Sequence, residues 1–200
     1  MDKEELGGGW SSALRLYESS KTLKVVEHEW KNGRERNTFV SRECGFRISW
    51  PNGWSINWRL SDFYKKQLFT GGGDIKIPVI LLPDSLIGGF RPAVVVSYEE
   101  GIKDDVGSYI HRRIRLGEAD LVEVIRSLSV DLGVAMGFFH LRPFKGPSHE
   151  RVFRFHKVAL SADRAYIVTA MHIAENALQR HEKLREDIEA VLGSFSIVNF

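Results

Sequence analysis

Disulfides, cysteine-built zinc sites, membrane spans and a strongly basic surface are all missing from this 200-residue sequence. There is one cysteine, Cys44, so no internal disulfide can form and a multi-cysteine zinc site is excluded. A lone thiol fits a reducing, cytoplasmic compartment. The longest apolar run, Pro78–Pro83, is far shorter than the roughly 20 residues a spanning helix needs. Met1–Gly9 is acidic and then glycine-rich, without the basic start and apolar centre of a secretory signal. Net charge is only +2, too little to argue for nucleic acid by itself. Glutamine occurs only at Gln67 and Gln179 while Arg and Glu are plentiful, a mild thermophile-like bias that bears on stability and not on activity.

What is present is the composition of a soluble globular protein, 43% hydrophobic and 27% charged, in a length that suits one well-cored domain. The pattern is clearest in the last third. Phe138–Phe144, Glu150–Ala159 and Ala165–Ile173 are rich in β-branched and aromatic residues, and Lys145–Ser148 and Ser161–Arg164 separate them as short, turn-rich loops. They read as an antiparallel meander. Symmetric closure of its two turns sets His140 opposite Phe153 and Phe153 opposite His172. It places Arg154 and His156 on the other face with Thr169 and Met171. Both faces of the middle strand carry apolar residues, so the sheet should be covered on both sides. Beyond it, Ala177, Leu178, His181, Leu184, Ile188, Val191, Leu192 and Phe195 recur at three- and four-residue steps, which predicts an amphipathic helix. Asn176 is placed to cap its first turn and Gly193 to end it in a left-handed conformation.

Upstream, residues before about Trp10 read as an arm and Ser11–Ser20 as a short helix. Leu23–Trp30 and Arg36–Arg42 flank Asn32-Gly33, a hairpin signal. Phe46–Trp50 and Trp54–Trp58 flank Pro51-Asn52-Gly53, a second such signal. Arg59–Leu68 fits a helical turn or a loop, and Thr70–Asp74 is a breaker cluster. Ile75–Leu82 and Ala93–Glu99 are strand candidates, while Gly101–Arg115 fits strand or helix equally. Leu121, Val122, Ile125, Leu128 and Leu132 predict another helix, capped by Asp120 and Gly133. Segregated strands and helices of this kind predict an α+β domain with a mostly antiparallel sheet.

The stretch Phe46-Arg47-Ile48-Ser49-Trp50-Pro51-Asn52-Gly53-Trp54 is similar to the "strand, Pro, x, Gly-Trp" opening of the PsbP-like superfamily. The strand Tyr166–Ile173 and the ending Val191-Leu192-Gly193-Ser194-Phe195 resemble that family's closing strand and its helix running into Ser-Phe. The likeness covers about residues 39–200 and leaves 1–38 as an N-terminal arm and hairpin extension. The superfamily also includes a Ran-binding nuclear-import factor and prokaryotic groups of unknown role. The resemblance implies an α-β-α sandwich around an antiparallel sheet, used as a binding or assembly module without catalysis. Its plant members assist the photosynthetic water-oxidising complex and carry organelle-targeting segments; nothing in this sequence supports that role.

The chemistry-bearing residues give weaker signals. Seven histidines invite a metal, but no H-E-x-x-H occurs, and His181-Glu182 is followed by Arg185 where that motif needs its second histidine. Packing or surface histidines are the better reading, with no metal and no cofactor. Arg154, His156 and Thr169 form a polar patch on an otherwise apolar sheet face. A pocket for an anion or carboxylate would use the Arg fork and the switchable imidazole; the plainer reading is an open sheet edge or groups satisfied beneath a loop. Arg112, Arg113 and Arg115 form the densest positive cluster, which could meet phosphate or an acidic partner. Asp104, Asp105, Glu118 and Asp120 lie near enough in sequence to offset it, so a solvated face is favoured. All five tryptophans fall between Trp10 and Trp58, and Trp54, Ile56 and Trp58 alternate onto one side as a core or a binding row. The Gly71-Gly72-Gly73 run lacks the spacing of a phosphate loop and reads as a flexible loop.

The expectation is therefore a non-enzymatic module for a protein partner or small ligand. A small-molecule or metal-dependent enzyme using the His/Arg patch is the alternative. A nucleic-acid binder through Arg112–Arg115 ranks below both.

Overall fold

The computed structural model describes residues 24–31, 34–71, 73–84, 86, 91–115, 121–126, 131–141, 150–173 and 182–198. Among the described residues, eleven strands and three helices succeed one another. First come β1 (Lys24–Lys31), β2 (Arg34–Ser41), β3 (Phe46–Pro51), β4 (Trp54–Ile56), α1 (Ser61–Leu68), β5 (Lys76–Pro83), β6 (Ala93–Glu100) and α2 (Val106–Arg113). Then follow β7 (Leu121–Arg126), β8 (Asp131–Leu141), β9 (Glu150–Ser161), β10 (Arg164–Ile173), α3 (Glu182–Ser194) and β11 (Ser196–Ile197). The expected arm, the Ser11–Ser20 helix and the Asn176 cap lie outside the described residues. No described helix is long and apolar enough to cross a membrane.

The chain divides into two compact units, Met1–Asn52 with Glu189–Phe200, and Gly53–Ile188. The first holds a four-stranded sheet in the order β1-β2-β3-β11. Lys31 lies opposite Arg34, the register that a two-residue Asn-Gly loop dictates. Its core is apolar, with Phe39, Phe46 and Ile48 fully buried. Phe46 stands 5.8 Å from Phe39 and 5.6 Å from Phe195, ring centre to ring centre. The sequence assigned Gly193 a left-handed terminus, yet it sits inside α3, and it is not among the residues with positive φ. The helix ends one residue later, where the Ser194 hydroxyl accepts the Ser49 amide at 2.8 Å and reaches the Ser49 carbonyl at 2.9 Å. That side chain ties the helix end to β3 where a glycine terminus was expected.

The second unit is built on a seven-stranded sheet, β4-β5-β6-β10-β9-β8-β7, antiparallel at each pairing. Three expectations change here. The Pro51-Asn52-Gly53 turn does not close a hairpin: β3 pairs with β2 and β11, and β4 pairs with β5. Gly53, at φ +83°, instead hands the chain from one sheet to the other, a backbone state that glycine adopts without strain. The helix expected over Leu121–Leu132 is the hairpin β7–β8, because Val122, Val124 and Ile125 favour a pleated surface over a helix. The β8–β9 register is offset by two residues from symmetric closure. Phe138, not His140, lies opposite Phe153, and His140 faces Arg151. β8 stops at Leu141, so its connection to β9 is longer than four residues and leaves room for the slide. The β9–β10 register, with His172 opposite Phe153 and Thr169 opposite His156, is as expected.

Helices α1 and α2 bury Tyr64, Leu68, Val106, Tyr109 and Ile110 against one face of this sheet, in a core with Val95, Val152, Val158 and Ile167. The opposite face of the central strands, with Val94, Val96, Val168 and Tyr166, is buried too. The ambiguous Gly101–Arg115 segment is helical from Val106. Its N-cap is Asp105, whose carboxylate accepts the Gly107 and Ser108 amides at 3.0 and 3.1 Å and the Ser108 hydroxyl at 2.6 Å. Those bonds, the Ser108 hydroxyl first, hold the carboxyl below the usual range. Asp105→Ala is expected to speed amide exchange at Gly107 and Ser108 severalfold, and Asp105→Asn to restore most of the protection; equal protection in both variants would show that the cap is idle.

Candidate functional site

Arg154 and His156 sit two apart on β9 and so share a face, and β10 brings Thr169 directly opposite His156. The sequence assembled this trio correctly. What it did not show is depth: Arg154, His156 and Thr169 are 1%, 1% and 0% exposed, beneath the helix layer and not at a sheet edge or under a loop. Each has a specific partner. Arg154 Nη1 donates to the Gln67 carbonyl at 2.8 Å, one of the last carbonyls of α1, which have no acceptor role left inside the helix. A cation there also meets the negative end of the helix dipole. His156 Nδ1 and Thr169 Oγ1 are 2.9 Å apart. Burial first, and the Arg154 charge second, push the imidazole down to about 3, so it is neutral at physiological pH. Its Nε2 is buried without a hydrogen-bond partner.

A second polar cluster lies on the same sheet face, two same-face rows from His156. Val95, Ser97 and Glu99 alternate inward along β6, so Glu99 enters the core at 5% exposure. Arg113 Nη2 donates to Glu99 Oε1, and the Tyr109 hydroxyl donates to Oε2 at 3.0 Å. Burial raises the Tyr109 phenol well above its ordinary value, so it serves as donor throughout the physiological range. The glycine run covers this pair closely. A side chain at Gly73 would set its Cβ 1.6 Å from Arg113 Nη2 and 2.4 Å from Glu99 Oε1. What the sequence suggested was a flexible loop is, at Gly73, a close approach of backbone to an ion pair.

The arginine cluster is thereby split. Arg113 points into the core, while Arg112 is exposed, pairs with Asp104 and lies 6.0 Å from the Tyr109 ring. Arg115 is exposed beyond the helix end, and its amide donates to the Leu68 carbonyl at 2.8 Å. Thr70 returns the tie by donating its amide to the Arg113 carbonyl, also at 2.8 Å, so the C-terminal ends of α1 and α2 are laced together. Neighbouring helical residues diverge by about 100°, which is why proximity in sequence did not make a patch.

The remaining candidates scatter. Phe153 and His172 stack at 5.0 Å, and no group of three His, Cys, Asp or Glu converges among the described residues. Trp50 and Trp54 are buried; Trp58 lies past the end of β4, its Nε1 donating to the Pro78 carbonyl at 2.5 Å. Cys44 is buried and forms no disulfide. Phe63 on α1 and Leu86 are large apolar side chains that stay exposed, at 43% and 58%. No family model matches the chain, and no curated protein matches it.

Proposed function

We propose that this chain is a non-enzymatic binding or assembly module for a protein partner, built as an α-β-α sandwich of the PsbP-like kind. One observation carries the non-enzymatic reading: the buried charged groups Arg154, Arg113 and Glu99 are engaged in holding the helices to the sheet. Arg154 holds the last turn of α1, and Arg113 and Tyr109 hold α2 to Glu99. A general acid or base needs a pKa near the working pH and reach to its substrate. His156 is closed off, and burial pushes its imidazole well below the working range, so the enzyme that would use it has no proton carrier there. The kinship is supported by where its two motifs lie. Ser49, in the opening strand, bonds Ser194, and Phe46 packs on Phe195 of the closing Gly-Ser-Phe.

Protein interfaces are enriched in aromatic side chains at their centres, and Phe63, exposed on α1, offers one. The test is reconstitution: a protein captured from native lysate should form a stoichiometric complex with the purified chain, weakened at least about tenfold by Phe63→Ser. Two results would overturn this reading. A stoichiometric transition metal in the purified protein would favour the enzyme. Retention on heparin near physiological salt, abolished by Arg112→Ala with Arg115→Ala, would favour nucleic acid.

A further inference from the structure

His156 occupies a site that tolerates only the neutral ring. Its own strand offers the Arg154 guanidinium, and β10 offers Thr169 opposite, flanked by uncharged Ile167 and Met171. β8 offers Ala135. From the helices, Tyr64 and Tyr109 enter the same core. Burial pushes the Tyr64 phenol up to about 12 and the Tyr109 phenol higher still, so neither supplies a negative charge. Glu99 is on this face but two strands away and already paired with Arg113. Thr169 satisfies Nδ1 in either tautomer, and Nε2 is left facing the interior with nothing to bond. A proton on this ring would set a second positive charge beside the buried Arg154 guanidinium, which burial and that charge both oppose.

The least costly escape is through α1. This helix is eight residues long, has no side-chain cap at its start, and is gripped at its end by Arg154 itself. We propose that Arg154 and His156 form an acid-operated latch: with His156 neutral, Arg154 holds the last turn of α1 on the sheet; with His156 protonated, the grip opens and α1 lifts. Lifting brings water to both cations and bares the apolar face around Leu68, Ile80 and Val95, residues that are 0% exposed when the latch is closed. The sign follows from linkage. The closed state disfavours the proton, so its stability is fully present above the ordinary histidine value of 6.5 and is lost as pH falls from there towards about 3.

Amide hydrogen exchange between pH 7 and pH 4, corrected for intrinsic rates, tests this on the intact chain. The opening constant of Ser61–Leu68 should rise about tenfold for each pH unit below 6.5, while Ile167 and Val168 in β10 keep their protection. His156→Gln retains a partner for Thr169 but cannot titrate, and should flatten the α1 slope. The same slope in that variant overturns the latch, as does parallel loss of protection in α1 and β10. Should the variant fail to fold, the wild-type imidazole decides through its nitrogen chemical shifts. A ring that stays neutral until α1 loses protection supports the latch, and a titration near 6.5 with α1 still protected overturns it.

Discussion

Arg113→Met is expected to cost about 3–5 kcal/mol of folding stability, the usual penalty for removing one partner of a buried ion pair. The substitution keeps most of the apolar volume, so what is lost is the countercharge. Glu99, 5% exposed, would face the core with only the Tyr109 hydroxyl as a donor. Removing both charges should be far milder. Arg113→Met with Glu99→Gln leaves a neutral amide that Tyr109 can still bond, and most of the loss should return. The neighbouring exposed pair is the control: Arg112 and Asp104 are 50% and 31% exposed, so Arg112→Met should change stability by about 1 kcal/mol or less. Urea unfolding of the four proteins, with m-values compared to exclude a change of mechanism, reads all of this. Equal costs at Arg112 and Arg113 would mean that the Glu99 cluster does not hold α2 to the sheet.

Much of the architecture was legible because alternation and turn chemistry agreed. The meander from β8 to β10 showed itself in β-branched and aromatic runs, and its second turn was short enough for register to follow from loop length alone. The first connection was not, and the two-residue slide there moved His140 away from Phe153. The Leu121–Leu132 segment failed for a different reason. Apolar residues at 121, 122, 125, 128 and 132 satisfy a helical stripe, but the run 121–126 is too short for periodicity to separate helix from strand. The better signal was the β-branched content. For α2 the deciding residue was present and passed over: Asp105, with Ser108 three residues on, is an N-cap pair that selects helix over strand.

The polar sites show the same division between what is local and what is not. That Arg154, His156 and Thr169 share a face follows from strand parity, a local rule. Whether that face meets water, a loop or a helix depends on where α1 docks, and no spacing within β9 encodes it. Glu99 was readable by parity too, as the third inward position after Val95 and Ser97. A carboxylate closing an apolar run looks like the end of a strand, however, and its partner Arg113 seemed to belong with Arg112 and Arg115. The glycine run carried a second hint. Three glycines permit flexibility, but they also permit close approach, and only the position of the Arg113 guanidinium shows that Gly73 is needed for the latter.

Gly133 offers a sharper separation of those two uses of glycine, because the sequence assigned it to a helix terminus and the structure sets it in β8 beneath α2. A Cβ added there would lie 2.5 Å from Ile110 Cδ1 and 2.8 Å from Val106 Cγ2. Strand preference alone makes alanine better than glycine by roughly 0.5–1 kcal/mol. Overpacking of a closed core costs about 1–3 kcal/mol, so Gly133→Ala should destabilise, and the sign by itself reports the contact. Ile110→Val removes the very atom that the new methyl strikes, at its own cost of about 0.5–1.5 kcal/mol. The double variant should therefore be more stable than the sum of the single losses predicts, though not fully restored, since Val106 still stands close. A strictly additive pair, or a Gly133→Ala protein as stable as the parent in thermal and urea unfolding, would place the helix farther from the sheet than the structure has it. It would also remove the close packing of α2 that keeps Tyr109 and Arg113 over Glu99.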